Sequence, residues 1–134
     1  MRNPIVSDNL KIIVESIDLI EERFSKINLA DEFVTSPEGV LLLDAISMRL
    51  QVIGETVKKI DKIEPSLFEM YQDVEWRKIM RLRDIISHHY EMVDHEIIFD
   101  ICETHLPRVK SAIQNIIRKE NQSNSGIQPI KEDA

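Results

Sequence analysis

Arg83, Asp84, His88 and Tyr90 bring together, within eight residues, side chains that can act on a phosphodiester. Arginine presents a planar fork of donors that matches a phosphate and stabilises the extra negative charge of a pentavalent phosphorane. Histidine can take a proton from a ribose 2′-hydroxyl or give one to a leaving oxygen near pH 7. The segment therefore suffices in principle for metal-independent RNA cleavage by internal transfer, which leaves a cyclic phosphate.

Helix geometry restricts how these side chains can meet. On a regular helix Arg83 and Tyr90 share nearly one face, whereas His88 lies about 140° from Arg83. The arginine and the histidine can converge if the helix ends or distorts near Ser87. They can also act together if a second copy completes the site, as in a symmetric dimer. The sequence leaves both arrangements open.

Other charged side chains allow a functional and an ordinary interpretation. A basic segment precedes Arg83 and forms the best local phosphate platform, or simply a solvated helix face. Its members are Arg77, Lys78 and Arg81. The remaining histidines do not have the spacing of a zinc site, so we predict no metal site. These are His89, His95 and His105.

Composition limits the class of protein. The formal charge is −7, which argues against a protein that coats nucleic acid over its whole surface and confines any RNA contact to a basic patch. Cys102 is the single cysteine, so neither an intramolecular disulfide nor a thiolate zinc cluster can form. The first residues lack the apolar run of a signal peptide, and we find no continuous membrane span. We therefore expect a cytoplasmic protein without a membrane segment.

Apolar residues at three- and four-residue spacings predict an all-α fold, a four-to-five-helix up-down bundle. The first helix is predicted to start at an N-cap Ser7, and the second at Ser36, which Pro37 follows. Asp73 is predicted to cap the third helix, from which the basic residues project. Asp94 is predicted to cap a last long helix through about residue 118, with a kink near residue 107, where a proline removes a backbone donor.

The second helix is apolar on more than one face, which predicts burial on two sides, either within the bundle or against another subunit. Gly54 inside this helix costs about 1 kcal/mol relative to alanine, so we predict a close helix crossing there. Glu55 and Arg49 are either solvated helix surface or residues that support the site. From residue 119 onward the sequence is polar and aperiodic, which predicts a flexible C-terminal tail.

Several strings resemble the HepT-like branch of the HEPN superfamily, small all-helical proteins paired with minimal nucleotidyltransferases in prokaryotes. The resemblance runs from about residue 8 to residue 118, so we assign residues 1–118 to a HEPN domain and 119–134 to a polar tail. The strings are Arg49–Glu55, Trp76–Asp84, Ser87–Tyr90, and Val93–Asp94 leading to Leu106–Pro107. The superfamily signature is an arginine, a polar residue and, after four to six intervening positions, a histidine. Arg83, Asp84 and His88 fill it, and Tyr90 fills the tyrosine position of the HepT group.

This resemblance implies an RNase toxin of a toxin–antitoxin pair that needs no cofactor. Arg83 and His88 would be catalytic in a homodimer cleft, and Asp84 would orient one of them. Tyr90 would accept AMP from ATP, transferred by the nucleotidyltransferase antitoxin. The added phosphate charge and bulk would compete with RNA phosphate for the same cations.

Two other functions remain open at this stage. The chain could be a non-catalytic nucleotide-binding or scaffold subunit of a nucleotidyltransferase complex, which its net acidic charge favours. It could also be a structural helical dimer without activity. The complete signature favours the RNase.

Overall fold

The chain is helical throughout its ordered elements. The computed structural model describes residues 2–87 and 93–127, and within these ranges it contains helices and no strand. The helices are α1 (Pro4–Phe24), α2 (Pro37–Ile63), α3 (Trp76–Met80), α4 (Leu82–Ser87), α5 (His95–Asp100) and α6 (Leu106–Ile127). Short 3-10 turns occupy Ala30–Phe33 and Pro65–Phe68, and a π-helical segment, Ile101–His105, joins α5 to α6. The predicted all-α fold is confirmed.

The two long helices α1 and α2 lie side by side and antiparallel. The guanidinium of Arg2, just before α1, forms a salt bridge of 3.0 Å with Glu64, just after α2. Both helices bury one apolar face, and each fully buried aliphatic side chain contributes about 1.5–3 kcal/mol. Fully buried members include Leu10, Ile13 and Ile17 of α1, and Ile46, Leu50 and Ile53 of α2. No helix within residues 2–87 and 93–127 combines the length and apolar character needed to cross a bilayer.

Two of the four predicted N-caps, Ser36 and Asp94, are confirmed, whereas those at Ser7 and Asp73 are wrong. Ser36 caps α2, because its hydroxyl accepts a hydrogen bond of 3.0 Å from the amide of Gly39. The first helix instead starts at Pro4, where the Asn3 side chain accepts a bond of 2.8 Å from the amide of Ile5. Asparagine caps as well as serine, and proline at the first helical position follows both caps. Ser7 lies inside α1.

The last long helix is irregular where the kink was predicted. The amide of Leu106 donates to the carbonyl of Ile101, the five-residue spacing of a π-helix, directly before Pro107. Beyond this point α6 continues to Ile127 rather than ending near residue 118. Glu120 explains part of this extension, since its carboxylate binds Arg2 at 3.2 Å and accepts a bond from Ser7. Residues 128–134 of the predicted tail lie outside the described residues.

Candidate active site

Aromatic packing places α3. The Trp76 ring stacks on Phe68 with a centroid distance of 4.0 Å, and its indole N–H donates to the carbonyl of Tyr71 at 2.9 Å. The predicted capping role of Asp73 is wrong, because α3 starts at Trp76 with Glu75 in the N-cap position. Tertiary contacts of one buried ring, rather than a local cap, therefore set the start of the basic segment.

The predicted close crossing at Gly54 is confirmed. A β-carbon added at Gly54 would lie 2.8 Å from the carbonyl oxygen of Ile79 and 3.3 Å from the β-carbon of Leu82. Glycine therefore lets α2 approach the backbone of α3 and the first residue of α4. This contact fixes where along α2 the residues of α3 and α4 lie.

The helix is interrupted at Arg81, between α3 and α4, although the sequence predicted one continuous helix there. Arg81 has φ −100° and ψ 10°, and its amide bonds back to the carbonyl of Lys78. Leu82, which is buried, then starts α4. Arg83 and Asp84 consequently lie in the first turn of a new helix, where a carboxylate is favoured by the helix dipole.

Arg83 points outward and meets one carboxylate. Its side chain is 66% exposed, and its Nη1 lies 3.8 Å from Oε1 of Glu55. The same oxygen lies 3.8 Å from Nζ of Lys58. Exposed ion pairs at this distance contribute little free energy. A phosphate could therefore displace Glu55 from the guanidinium. Glu55 is thus a neighbour of Arg83, and a role in supporting the site stays a prediction for it.

The predicted phosphate platform is exposed. Arg77, Lys78 and Arg81 all have exposed side chains, as does Asp84. Lys78 lies 3.7 Å from Glu75, one helical turn earlier. With Arg83, these exposed cations fit both a phosphate platform and an ordinary solvated helix face, so the platform stays a prediction.

His88 and Tyr90, the two other signature residues, lie outside the described residues, as does His89. The structure describes α4 as far as Ser87. Whether Arg83 and His88 converge therefore stays a prediction, and so does the position of the Tyr90 hydroxyl.

Sequence reasoning missed a cavity of about 360 Å³ beside α4. It is lined by Lys78, Ile85, Asp94, Glu96, Ile97, Asp100, Ile101 and His105, and we call it the α4–α5 cavity. The imidazole of His105 lies 3.5 Å from a carboxylate oxygen of Asp100 and 3.8 Å from one of Glu75. Pro107 indicated an irregular helix in this region. It did not indicate which side chains the irregular turn brings together.

A second group brings three possible metal ligands together. Single donor atoms of Asp31, His95 and Glu96 lie within 4.8 Å of one another. A divalent cation could use such donors, although exposed carboxylates often lie this close without one. Asp31 and His95 are too far apart in sequence for spacing to have shown this group.

Cys102 is not a candidate nucleophile. Burial raises the pKa of its thiol to about 12, so it stays protonated at neutral pH. The thiolate is the reactive form. A structural role in the π-helical segment fits this buried position.

Comparison with known proteins assigns a family. The family model described as "Ribonuclease HepT-like" matches residues 13–116, a range that includes the whole signature. "Gamma-glutamylcyclotransferase and putative RNase MJ0434" of Methanocaldococcus jannaschii is 33% identical over 82% of this chain, which covers 46% of that protein. "Putative RNase TTE0752" of Caldanaerobacter subterraneus is 30% identical over 83% of this chain and 93% of its own length.

A third relative carries the family name. "Probable ribonuclease HepT" of Thermococcus cleftensis is 28% identical over 81% of this chain and 93% of its own length. No solved structure matches the chain significantly. The match of the family model spans well over half of the chain and agrees with the all-helical fold and with the signature beginning at Arg83. The chain belongs to the HepT-like ribonuclease family.

Proposed function

We propose that this protein is a metal-independent endoribonuclease, the toxin of a toxin–antitoxin pair, with Arg83 and His88 as catalytic residues. The observation that carries the proposal is the exposed guanidinium of Arg83 at the start of α4. It lies among further exposed cations in a chain of a ribonuclease family. The rest of the chain is acidic, so RNA would approach at this basic surface.

The proposed chemistry is internal transfer at phosphorus. His88 takes the proton of the ribose 2′-hydroxyl, and the 2′-oxygen forms a bond to phosphorus. The bond from phosphorus to the 5′-oxygen breaks, and a protonated histidine gives that oxygen its proton. Arg83 donates to the non-bridging oxygens, whose negative charge grows in the transition state. The products are a 2′,3′-cyclic phosphate and a 5′-hydroxyl.

A homodimer would complete this site. Leu41 and Met48 on α2 are 68% and 61% exposed, and the half-buried Ala45 and Val52 continue the same stripe at alternating spacings of four and three. Such a stripe suits packing against another helix. It leads towards Glu55, which contacts Arg83. A second copy packed on α2 would thus bring a second signature segment near the first.

The proposed partner is a minimal nucleotidyltransferase antitoxin that transfers AMP from ATP to Tyr90. The support is the family signature, in which Tyr90 follows His88 by two positions. Phosphate charge at this point would compete with RNA for Arg83. In the presence of partner and ATP, the Tyr90→Phe variant should stay active while the wild type loses its activity. Equal silencing of both proteins would refute Tyr90 as the acceptor.

The alternative is a non-catalytic scaffold or nucleotide-binding subunit of the nucleotidyltransferase complex. The observation that favours it is the net charge of −7, which repels RNA away from the basic surface. It predicts binding to nucleotide or to the partner without RNA cleavage.

Cleavage of total cellular RNA in EDTA tests the leading proposal. Wild type should produce cyclic-phosphate ends, and Arg83→Ala or His88→Ala should lower the rate by about 100- to 1,000-fold, as loss of a transition-state donor does. Arg77→Ala is the matched control, because it removes another exposed cation of the same surface and should weaken RNA binding without abolishing the chemistry. Undiminished cleavage by both site variants would contradict the assignment, and cleavage that stops in EDTA would contradict metal independence.

A further inference from the structure

The α4–α5 cavity borders α4, the helix that carries Arg83. Ile85, two residues after Arg83 on α4, forms one wall, and residues 94–105 form the opposite wall. The two walls therefore flank the signature segment on both sides in the chain. Lys78 of the basic surface lies at the edge of the same cavity. Ile85 and Arg83 lie about 200° apart around α4, so the cavity faces a different side of this helix from the Arg83 guanidinium.

The π-helical segment shapes this cavity. Residues five apart on a regular α-helix lie about 140° apart, so Asp100 and His105 would not meet there. The wider π turn brings His105 Nε2 to 3.5 Å from the Asp100 carboxylate, on the cavity wall. Such π segments are frequent at functional sites. The backbone irregularity thus creates a polar pair that faces the cavity.

The lining combines an apolar floor with carboxylate acceptors. Ile85, Ile97 and Ile101 supply the apolar surface. Asp94, Glu96 and Asp100 supply carboxylates, against one lysine and one histidine. Asp94 already accepts bonds from the amides of Glu96 and Ile97 through one oxygen, and Asp100 contacts Thr104 and His105, so Glu96 and the second oxygen of Asp94 are the acceptors proposed for a ligand. Three carboxylates disfavour a phosphate inside the cavity, because like charges repel. A flat, uncharged group that donates hydrogen bonds fits better.

We propose that this cavity binds a nucleobase that carries an exocyclic amino group, in preference to uracil. A volume of about 360 Å³ lies in the size range of small-molecule sites. Apolar side chains pack on the base faces, and aspartate or glutamate accepts bonds from amino groups such as that of cytosine. The proposal rests on the proposed function, because it gives the RNase a base subsite bordered by the helix that carries Arg83.

A nucleobase with an amino group could come from either of two molecules. The first is a base of the RNA substrate adjacent to the cleaved bond. The second is the adenine of an AMP group on Tyr90, four residues before Asp94 in the chain. The amino group is common to both, so the experiment needs an arm for each source.

Binding of free nucleosides to the full chain tests the cavity without relying on cleavage. Cytidine should bind about 10-fold more tightly than uridine, and guanosine than inosine, since each pair differs in the amino group that a carboxylate can accept. Ile97→Phe, which adds bulk to an apolar wall of the cavity, should remove this preference. Ile12→Phe is the matched control, because Ile12 on α1 and Ile97 are each 40% exposed.

The two sources are then separated by two arms. Oligonucleotides that vary one base beside the cut should show an amino-base preference in wild type and Ile12→Phe, and none in Ile97→Phe, if RNA enters the cavity. If the adenine of an AMP group enters the cavity instead, adenylylated wild type should no longer bind cytidine. Unmodified Ile97→Phe should then cleave the varied oligonucleotides with the same preference as wild type. Equal binding within each nucleoside pair, or the same nucleoside preference in both phenylalanine variants, would overturn the proposal. Tighter binding of an arginine dipeptide than of cytidine would also overturn it. Absence of cleavage alone would refute the nuclease, not the cavity.

Discussion

The α1–α2 pair and the α3–α4 pair are held in place by different contacts. The helices α1 and α2 have 21 and 27 residues and bury an apolar face along their whole length. The helices α3 and α4 have five and six residues, too few for stability in isolation. The long pair carries extensive apolar contacts of its own, whereas the short pair depends on its contacts with α2.

Few anchors hold the short pair. Trp76, Ile79, Leu82 and Ile86 are buried, while the cations between them point outward. The backbone of Ile79 also closely approaches Gly54 on α2. The charged side chains are therefore free to meet a ligand because a few apolar neighbours fix their backbone. Changes at an anchor should move the site, whereas changes in the scaffold should lower stability alone.

The two tight glycines of α2 separate these effects. A β-carbon at Gly39 would lie only 1.9 Å from the carbonyl oxygen of Glu32, in the turn between α1 and α2. At Gly54 it would lie 2.8 Å from the carbonyl oxygen of Ile79. Overpacking costs about 1–3 kcal/mol and sometimes more, so we expect Gly39→Ala to lower the free energy of unfolding by more than Gly54→Ala. Alanine regains up to about 1 kcal/mol of helix propensity at both positions.

RNA cleavage should rank the same two variants in the opposite order. Gly54→Ala displaces α3 and α4, and with them Arg83, whereas Gly39→Ala displaces a turn that does not contact α4. Denaturant unfolding and cleavage by the folded fraction measure the two effects separately. If Gly39→Ala slows cleavage as much as Gly54→Ala does, the short pair is not specifically coupled to α2 through that crossing.

The same contrast explains what could be predicted from sequence. Periodicity and the Ser36–Pro37 signal predicted the long helices because each carries its own apolar face and cap. The break at Arg81 was not predicted. The apolar residue Leu82 is compatible both with one continuous helix and with two short helices. The contact between Glu55 and Arg83 depends on how two helices cross, so Gly54 indicated the crossing but not the side chains that meet there.

Some parts of the candidate site could not be derived from local pattern. The pairing of Asp100 with His105 requires a π turn, for which Pro107 is an incomplete signal. The extension of α6 past residue 118 depends on Glu120 binding Arg2 of the opposite end of the chain. The roles of His88 and Tyr90 rest on the family signature and stay predictions.

The smallest expected effect concerns Glu32, in the turn that joins the long pair. Its carboxylate accepts hydrogen bonds from the amides of Asn28 and Leu29, and these bonds lower the pKa of Glu32 below its usual value of 4.5. A lowered folded-state pKa means that the charge stabilises the fold above the unfolded-state pKa. That contribution is lost as the pH falls through the folded-state pKa. Glu32→Gln should therefore be slightly less stable than wild type at pH 7, and the difference should shrink below about pH 4.5.

Glu15→Gln is the matched control, because Glu15 is exposed on α1. Denaturant unfolding of the three proteins at several pH values measures the effect, and RNA cleavage at pH 7 gives the comparison between regions. We expect Glu32→Gln to leave cleavage unchanged, because the turn stabilises the scaffold without contacting α4. A stability difference that persists undiminished at acid pH would mean that the amide substitution, rather than loss of charge, destabilises the turn. A loss of cleavage at full folding would mean that this turn is coupled to the site, and the division between scaffold and site would then have to include the α1–α2 connection.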